Sequence, residues 1–126
     1  MREPIRDRER LLHIISAADF VIENTREVEF EKFISDRMLY GAVIYHTMVI
    51  GEACYKLSRK FTETYTDTPW NDISGMRHHI VHGYYKVDNN VIWNIIRNDI
   101  PQLRQRVQQY LDEIDWSKWE EQMTNL

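Results

Sequence analysis

The sequence predicts an all-α protein, a helical bundle with one long helix at its centre. Three observations carry that expectation. Only four Gly and three Pro occur among 126 residues, and long stretches contain neither breaker. Apolar residues recur at three- and four-residue steps, the spacing of a buried helical stripe rather than of a strand. Hydrophobic residues make up 43% of the chain and aromatics 12%, enough to fill a core and to exclude a disordered polymer. A chain of this length suits one compact domain and not two, so residues 1–126 are read as a single domain.

The first helix is expected from about Asp7 to about Asn24, with Leu11, Leu12, Ile15, Ala18, Val21 and Ile22 as its buried stripe. Asp7 and Glu9 stand near its start, where the helix dipole favours negative charge. Glu29–Ser35 reads as a short helix. The long helix follows from about Asp36, and its apolar residues, from Leu39 to Leu57, spread widely around the circumference. Such a helix is central to the domain, shared with a partner chain, or both. Lys56, Arg59 and Lys60 are placed at its C-terminal end, where the dipole welcomes cations.

Thr64–Thr68 is a polar break. Thr68 is expected to cap the next helix, with Pro69 in the first-turn position that proline tolerates. Trp70–Ile73 reads as one short turn, and Gly75 as punctuation before a histidine-rich helix. Asp88-Asn89-Asn90 carry turn and cap chemistry. Val91, Ile92, Ile95 and Ile96 supply the next apolar face. Asn98 or Asp99 is expected to cap a last helix with Pro101 in its first turn, running to about Ile114. The tail, about 115–126, extends that helix or frays.

Composition narrows the setting. Cys54 is the only cysteine; it cannot form an internal disulfide, and an inert buried thiol in a reducing, cytoplasmic compartment is expected. The opening Met-Arg-Glu-Pro fits no signal peptide. No apolar run approaches the ~20 residues of a membrane span, so no membrane partner is expected. The net charge of −4 argues against extended, non-specific gripping of nucleic acid. It leaves room for a small cleft that handles one phosphodiester.

The segment Met76-Arg77-His78-His79-Ile80-Val81-His82-Gly83-Tyr84-Tyr85 is the richest in chemistry. On a helix with Arg77 at zero, Tyr84 falls at roughly −20°, Tyr85 at ~80°, His78 at ~100° and His82 at ~140°. Met76, Ile80, Gly83 and Val87 gather at roughly 240–300°, on the opposite side. Arg77 has the planar fork that matches a phosphate. His82 titrates near neutral pH and can take or give a proton during phosphodiester cleavage. The same pair also fits an exposed salt-bridging Arg with a structural His. His78 and His82 have the i,i+4 spacing of a metal pair, but His13, His46 and Cys54 are distant and no third ligand stands out, so no metal and no cofactor is expected. Tyr84 is a candidate for substrate contact or modification, and equally for packing at an interface. Glu52 and Asp36 could orient a cleft residue, with surface and cap roles as their default. Trp70 and Trp93 read as core anchors.

Over about Arg10 to Leu111 the chain resembles the HepT-type toxins of the HEPN-domain class. The likeness is carried by Arg10-Leu11 with His13, and by Ile50-Gly51-Glu52-Ala53. It continues through Pro69-Trp70, Ile73-Ser74-Gly75-Met76-Arg77, Val81-His82-Gly83-Tyr84, Val87-Asp88, Trp93-Asn94-Ile95-Ile96 and Asn98-Asp99-Ile100-Pro101-Gln102-Leu103. The resemblance implies an all-α HEPN-like bundle that homodimerises, with the R-x4-H-x-Y residues of both chains lining one cleft. It implies a metal-independent endoribonuclease that leaves a 2′,3′-cyclic phosphate and a 5′-hydroxyl. In it Arg77 would bind the scissile phosphate and His82 would move the proton, with His78 and Tyr85 supporting the cleft. Tyr84 matches the tyrosine to which a minimal nucleotidyltransferase (MNT) antitoxin partner transfers AMP, silencing the toxin. Such proteins commonly have Asn where this chain has His78. A catalytically silent helical partner of a nucleotidyltransferase is the alternative.

Overall fold

A computed structural model describes residues 6–82 and 88–125, with backbone alone at 77–79, 81 and 82. Its elements are helices: α1 (Asp7–Thr25), α2 (Phe30–Ser35), α3 (Arg37–Tyr55), α4 (Arg59–Thr64), α5 (Trp70–His82), α6 (Asn89–Asn94), α7 (Ile100–Glu113) and α8 (Trp116–Thr124). A π-helical turn, Ile95–Asp99, joins α6 to α7. The all-α expectation holds, and α3 is the central helix: it packs against α1, α2 and α5, while α7 closes over α1.

Side-chain caps set several boundaries. The Asp36 carboxylate accepts from Leu39 N–H at 3.1 Å and starts α3. That bond, ahead of the nearby Lys32 ammonium, holds its pKa below the usual carboxylate value. Ser58 Oγ accepts from Phe61 N–H and starts α4. Arg59 and Lys60 therefore sit at the beginning of a new helix rather than at the end of α3, and Arg59 is paired with Glu63 at 2.9 Å. Thr68 does not cap α5 with its hydroxyl, which is buried and lies 2.6 Å from Tyr110 Oη. Gly75 does not interrupt α5, which runs unbroken from Trp70.

No new cap starts α7 either. Ile100 N–H donates to Ile95 O, five residues back. Pro101 has no N–H to offer the Arg97 carbonyl, and its ring would press on that carbonyl in a regular α-helix. A π turn absorbs the conflict and lets the chain continue. Ile95, Ile96 and Ile100 stay buried through it. On α1 the buried stripe is Leu11, Ile14, Ala17, Ala18 and Val21, with Leu12 39% exposed instead of buried. Val91 is exposed as well, while Ile92, Ile95 and Ile96 enter the core. Residues Trp116–Thr124 form a helix of their own, capped by Asp115, which accepts from Lys118 N–H at 3.2 Å.

Two aromatic clusters mark opposite ends of the bundle. At one end Phe61 is ringed by Tyr65, Trp70, Tyr110, Trp116 and Trp119. The Asp7 carboxylate joins α1 to this end by accepting from Ser58 N–H and Ser58 Oγ–H, both at 2.7 Å, and from Trp119 Nε1–H at 3.1 Å. At the other end Phe33 packs on Tyr40 and Trp93. Arg97 lies over the Trp93 ring and donates to the Arg26 and Val28 carbonyls. Phe33 and Phe61 are fully buried, each stabilising the fold by about 2–3 kcal/mol. Since α1 and α5 both begin at the end where α3 finishes, both run antiparallel to it, and α5 points its C-terminus toward the Tyr40–Trp93 end.

Candidate functional site

α5 is the helix that carries Arg77, His78 and His82. Its first turn is anchored by Trp70, buried, whose indole N–H donates to Tyr65 O at 2.7 Å. Ser74 Oγ–H donates to Trp70 O at 2.8 Å one turn on. Trp70 thus proves to be a core anchor, as its apolar surroundings imply. Ile80 is buried, and Ile73 and Met76 pack against the core beside it. Helix geometry then turns positions 78 and 82 roughly 160–200° from Ile80, and position 77 ~60° from it. The backbone therefore brings Arg77, His78 and His82 onto one helix, as the spacing predicts. Their side chains, and Tyr84 and Tyr85 altogether, lie outside the described residues.

Asp88 accepts from Asn90 N–H at 2.9 Å and starts α6. Tyr40 Oη–H donates to Asn89 Oδ1 at 2.7 Å, tying the start of α6 to the start of α3. Burial raises the Tyr40 pKa above its ordinary value, which keeps that phenol a donor. The chain that follows the segment holding Tyr84 and Tyr85 is thereby fixed at the start of α3.

Other titratable groups fall elsewhere. Cys54 is free and buried, and burial pushes its thiol up to about 12, so it is inert as expected. His46 stacks on Phe20 with ring centroids 3.8 Å apart, and its Nδ1 lies 2.7 Å from Ala42 O. Among the described residues no group of three His, Cys, Asp or Glu could hold a metal ion. Nor, among them, is any helix long and apolar enough to cross a membrane. Trp93 is partly buried against the core.

Sequence reasoning missed a groove of about 270 Å³ between α1 and α3, lined by Arg10, His13, Tyr45, Met48, Val49, Glu52 and Ala53. Arg10 Nε is buried there without a hydrogen-bond partner. Glu52, which could have oriented a cleft residue, faces this groove and pairs with Lys56 at 3.1 Å. The signal was present in the spacing: Arg10 and His13 are three apart on α1, and Tyr45 and Glu52 seven apart on α3, so each pair shares a helix face.

A family profile described as Ribonuclease HepT-like matches residues 14–110. The chain is 36% identical over 104 residues to a candidate RNase of Caldanaerobacter subterraneus subsp. tengcongensis, covering 82% of this chain and 93% of that protein. It is 32% identical over 98 residues to a candidate RNase of Methanocaldococcus jannaschii, covering 78% and 90%. It is 34% identical over 97 residues to the "Probable ribonuclease HepT" of Thermococcus cleftensis, covering 77% and 88%. No solved structure matches.

Proposed function

Because this chain belongs to the HepT-like ribonuclease family, we propose that it is a metal-independent endoribonuclease toxin working through Arg77 and His82. The observation that carries the reading is the unbroken run of α5 from Trp70 to His82. Its core stripe leaves positions 78 and 82 on the far side of the helix and position 77 ~60° from Ile80, so the guanidinium and the bases flank a groove that the same helix of a second subunit can complete.

In the proposed reaction His82 takes the proton from a ribose 2′-hydroxyl, or returns one to the leaving oxygen. The 2′-oxygen forms its bond to phosphorus as the bond to the 5′-oxygen breaks, leaving a 2′,3′-cyclic phosphate and a 5′-hydroxyl. Arg77 binds the non-bridging oxygens and stabilises the charge that grows on them. His78 and Tyr85 support the cleft, and two copies of the chain complete it as a homodimer. Tyr84 is the acceptor of AMP from an MNT-type nucleotidyltransferase antitoxin in the cytoplasm. A phosphate attached there would bring negative charge next to Arg77 and repel RNA. Residues 1–126 act as one domain, supported by a single buried cluster that extends from Leu11 to Trp119.

The test is cleavage of bulk cellular RNA in EDTA by protein shown by intact mass to carry no AMP, beside Arg77→Ala and His82→Ala. Cleavage by wild type alone, with cyclic phosphate ends, is the expected result. Cleavage abolished by EDTA would favour a metal held by His78 and His82. No cleavage by the unmodified protein would make the chain a silent partner of the nucleotidyltransferase. Equal activity in the Ala variants would remove Arg77 and His82 from the chemistry.

A further inference from the structure

We propose that the groove between α1 and α3 is a phosphate-binding subsite for an RNA strand, with Arg10 as its anchoring cation. The proposal rests on the ribonuclease reading for the identity of the strand, and on the groove itself for the rest.

The central observation is Arg10. Its side chain is half-buried in the lining of the groove of about 270 Å³, and its Nε, shielded from solvent, has no acceptor. Among the described residues its guanidinium joins none of the ion pairs that occupy Arg6, Arg59, Arg104 and Arg106. With no acceptor for Nε inside the chain, the guanidinium is left to pair with an anion that enters the groove it lines. Arginine's planar fork suits a tetrahedral phosphate better than any neutral acceptor.

The surroundings fit a nucleotide. His13 lies three residues on, on the same face of α1, and is exposed. Met48, Val49 and Ala53 make an apolar floor. Tyr45, 59% exposed, stands at the rim as a ring on which a base can stack. The carboxylate in the lining, Glu52, has its charge offset by Lys56 at 3.1 Å. A local cation in a chain of net charge −4 also shows how an acidic protein can hold RNA: through a few placed contacts rather than a basic surface.

The probe is a fluorescent 2′-O-methyl RNA 15-mer, which cannot be cleaved because the 2′-oxygen is blocked. Binding is therefore read independently of catalysis. Arg10→Gln is expected to weaken binding about fivefold and to flatten the slope of log affinity against log salt by about 0.7. His13→Gln, at an exposed position that does not threaten folding, should weaken it about twofold. Arg8→Gln, exposed on α1 outside the groove, should leave both quantities unchanged. Unchanged affinity and slope in Arg10→Gln and His13→Gln would overturn the proposal, as would an equal loss in Arg8→Gln. Displacement of the strand by equimolar AMP would make the groove a mononucleotide pocket and overturn it too. A loss of binding seen only together with loss of the dimer in sedimentation would assign Arg10 to assembly instead. Failure of wild type to cleave RNA, with these binding differences intact, would sink the ribonuclease mechanism and leave the subsite standing.

Discussion

At the scale of single residues, buried polar groups are what the fold depends on most sharply. Asp7 is 6% exposed and accepts three hydrogen bonds from Ser58 and Trp119, so one carboxylate ties α1, α4 and α8 together. Asp7→Ala would strand the buried Trp119 indole N–H and the part-buried Ser58 N–H, at a cost of about 3 kcal/mol. A fall in Tm of roughly 10 °C by circular dichroism is expected, whereas Arg8→Ala, exposed beside it, should move Tm little. A shift of a degree or less for Asp7→Ala would make the network incidental. Cys54 and Tyr110 contribute to the alkaline limit. Burial pushes both up to about 12, with the Asp67 hydrogen bond adding to it at Tyr110. The unfolded chain gives up these protons first, near 9 for the thiol and 10 for the phenol. Their contribution is thus whole below about pH 9 and is lost as pH rises toward 12. Tm should decline across that window, and less steeply in Cys54→Ala. Parallel curves for the variant and wild type would show that the thiol plays no part.

At the scale of elements, the sequence was legible where periodicity alone decides and illegible where a local signal met a tertiary answer. The extents of α1 and α2, the start of α3, and the capping role of Asp88 follow from apolar spacing and cap chemistry. Gly75 misleads because glycine is a breaker only by propensity: packing of Trp70, Ile73, Met76 and Ile80 keeps α5 continuous. The cations after Tyr55 mislead because Ser58 caps a new helix with its hydroxyl. The π turn before Pro101 has no sequence signature beyond the proline itself. That Arg77, His78 and His82 share a helix was legible because it is local; the α1–α3 groove was not, since it needs two helices brought together by the fold. Gly75 also offers a test. A Cβ built there meets nothing within 4 Å, so alanine keeps the helix and restricts the unfolded chain. Gly75→Ala should add about 1 kcal/mol and raise Tm by a few degrees. Destabilisation would show that α5 needs glycine's freedom at this position.

At the scale of the whole molecule, the question is what covers the apolar surface near the end of α5. Met38, the most exposed large apolar side chain among the described residues at 87%, opens α3, and Val91, 55% exposed, lies in the first turns of α6. The Tyr40–Asn89 hydrogen bond pins these two helix starts together, so both side chains lie at one end, the end toward which α5 runs. A second subunit packed over this end would take both side chains out of solvent. A homodimer through this surface would bring the α5 helices of two chains toward each other, which a shared cleft requires. Met38→Glu tests it cleanly, because a side chain so exposed contributes little to the monomer's core while a buried unpaired charge disrupts an interface. The expected result is a shift from dimer to monomer in sedimentation, unchanged helical content, and at least a tenfold loss of RNA cleavage. A Met38→Glu protein that stayed dimeric would place the interface on another face. One that became monomeric and still cleaved RNA at full rate would mean that each chain holds a complete site by itself.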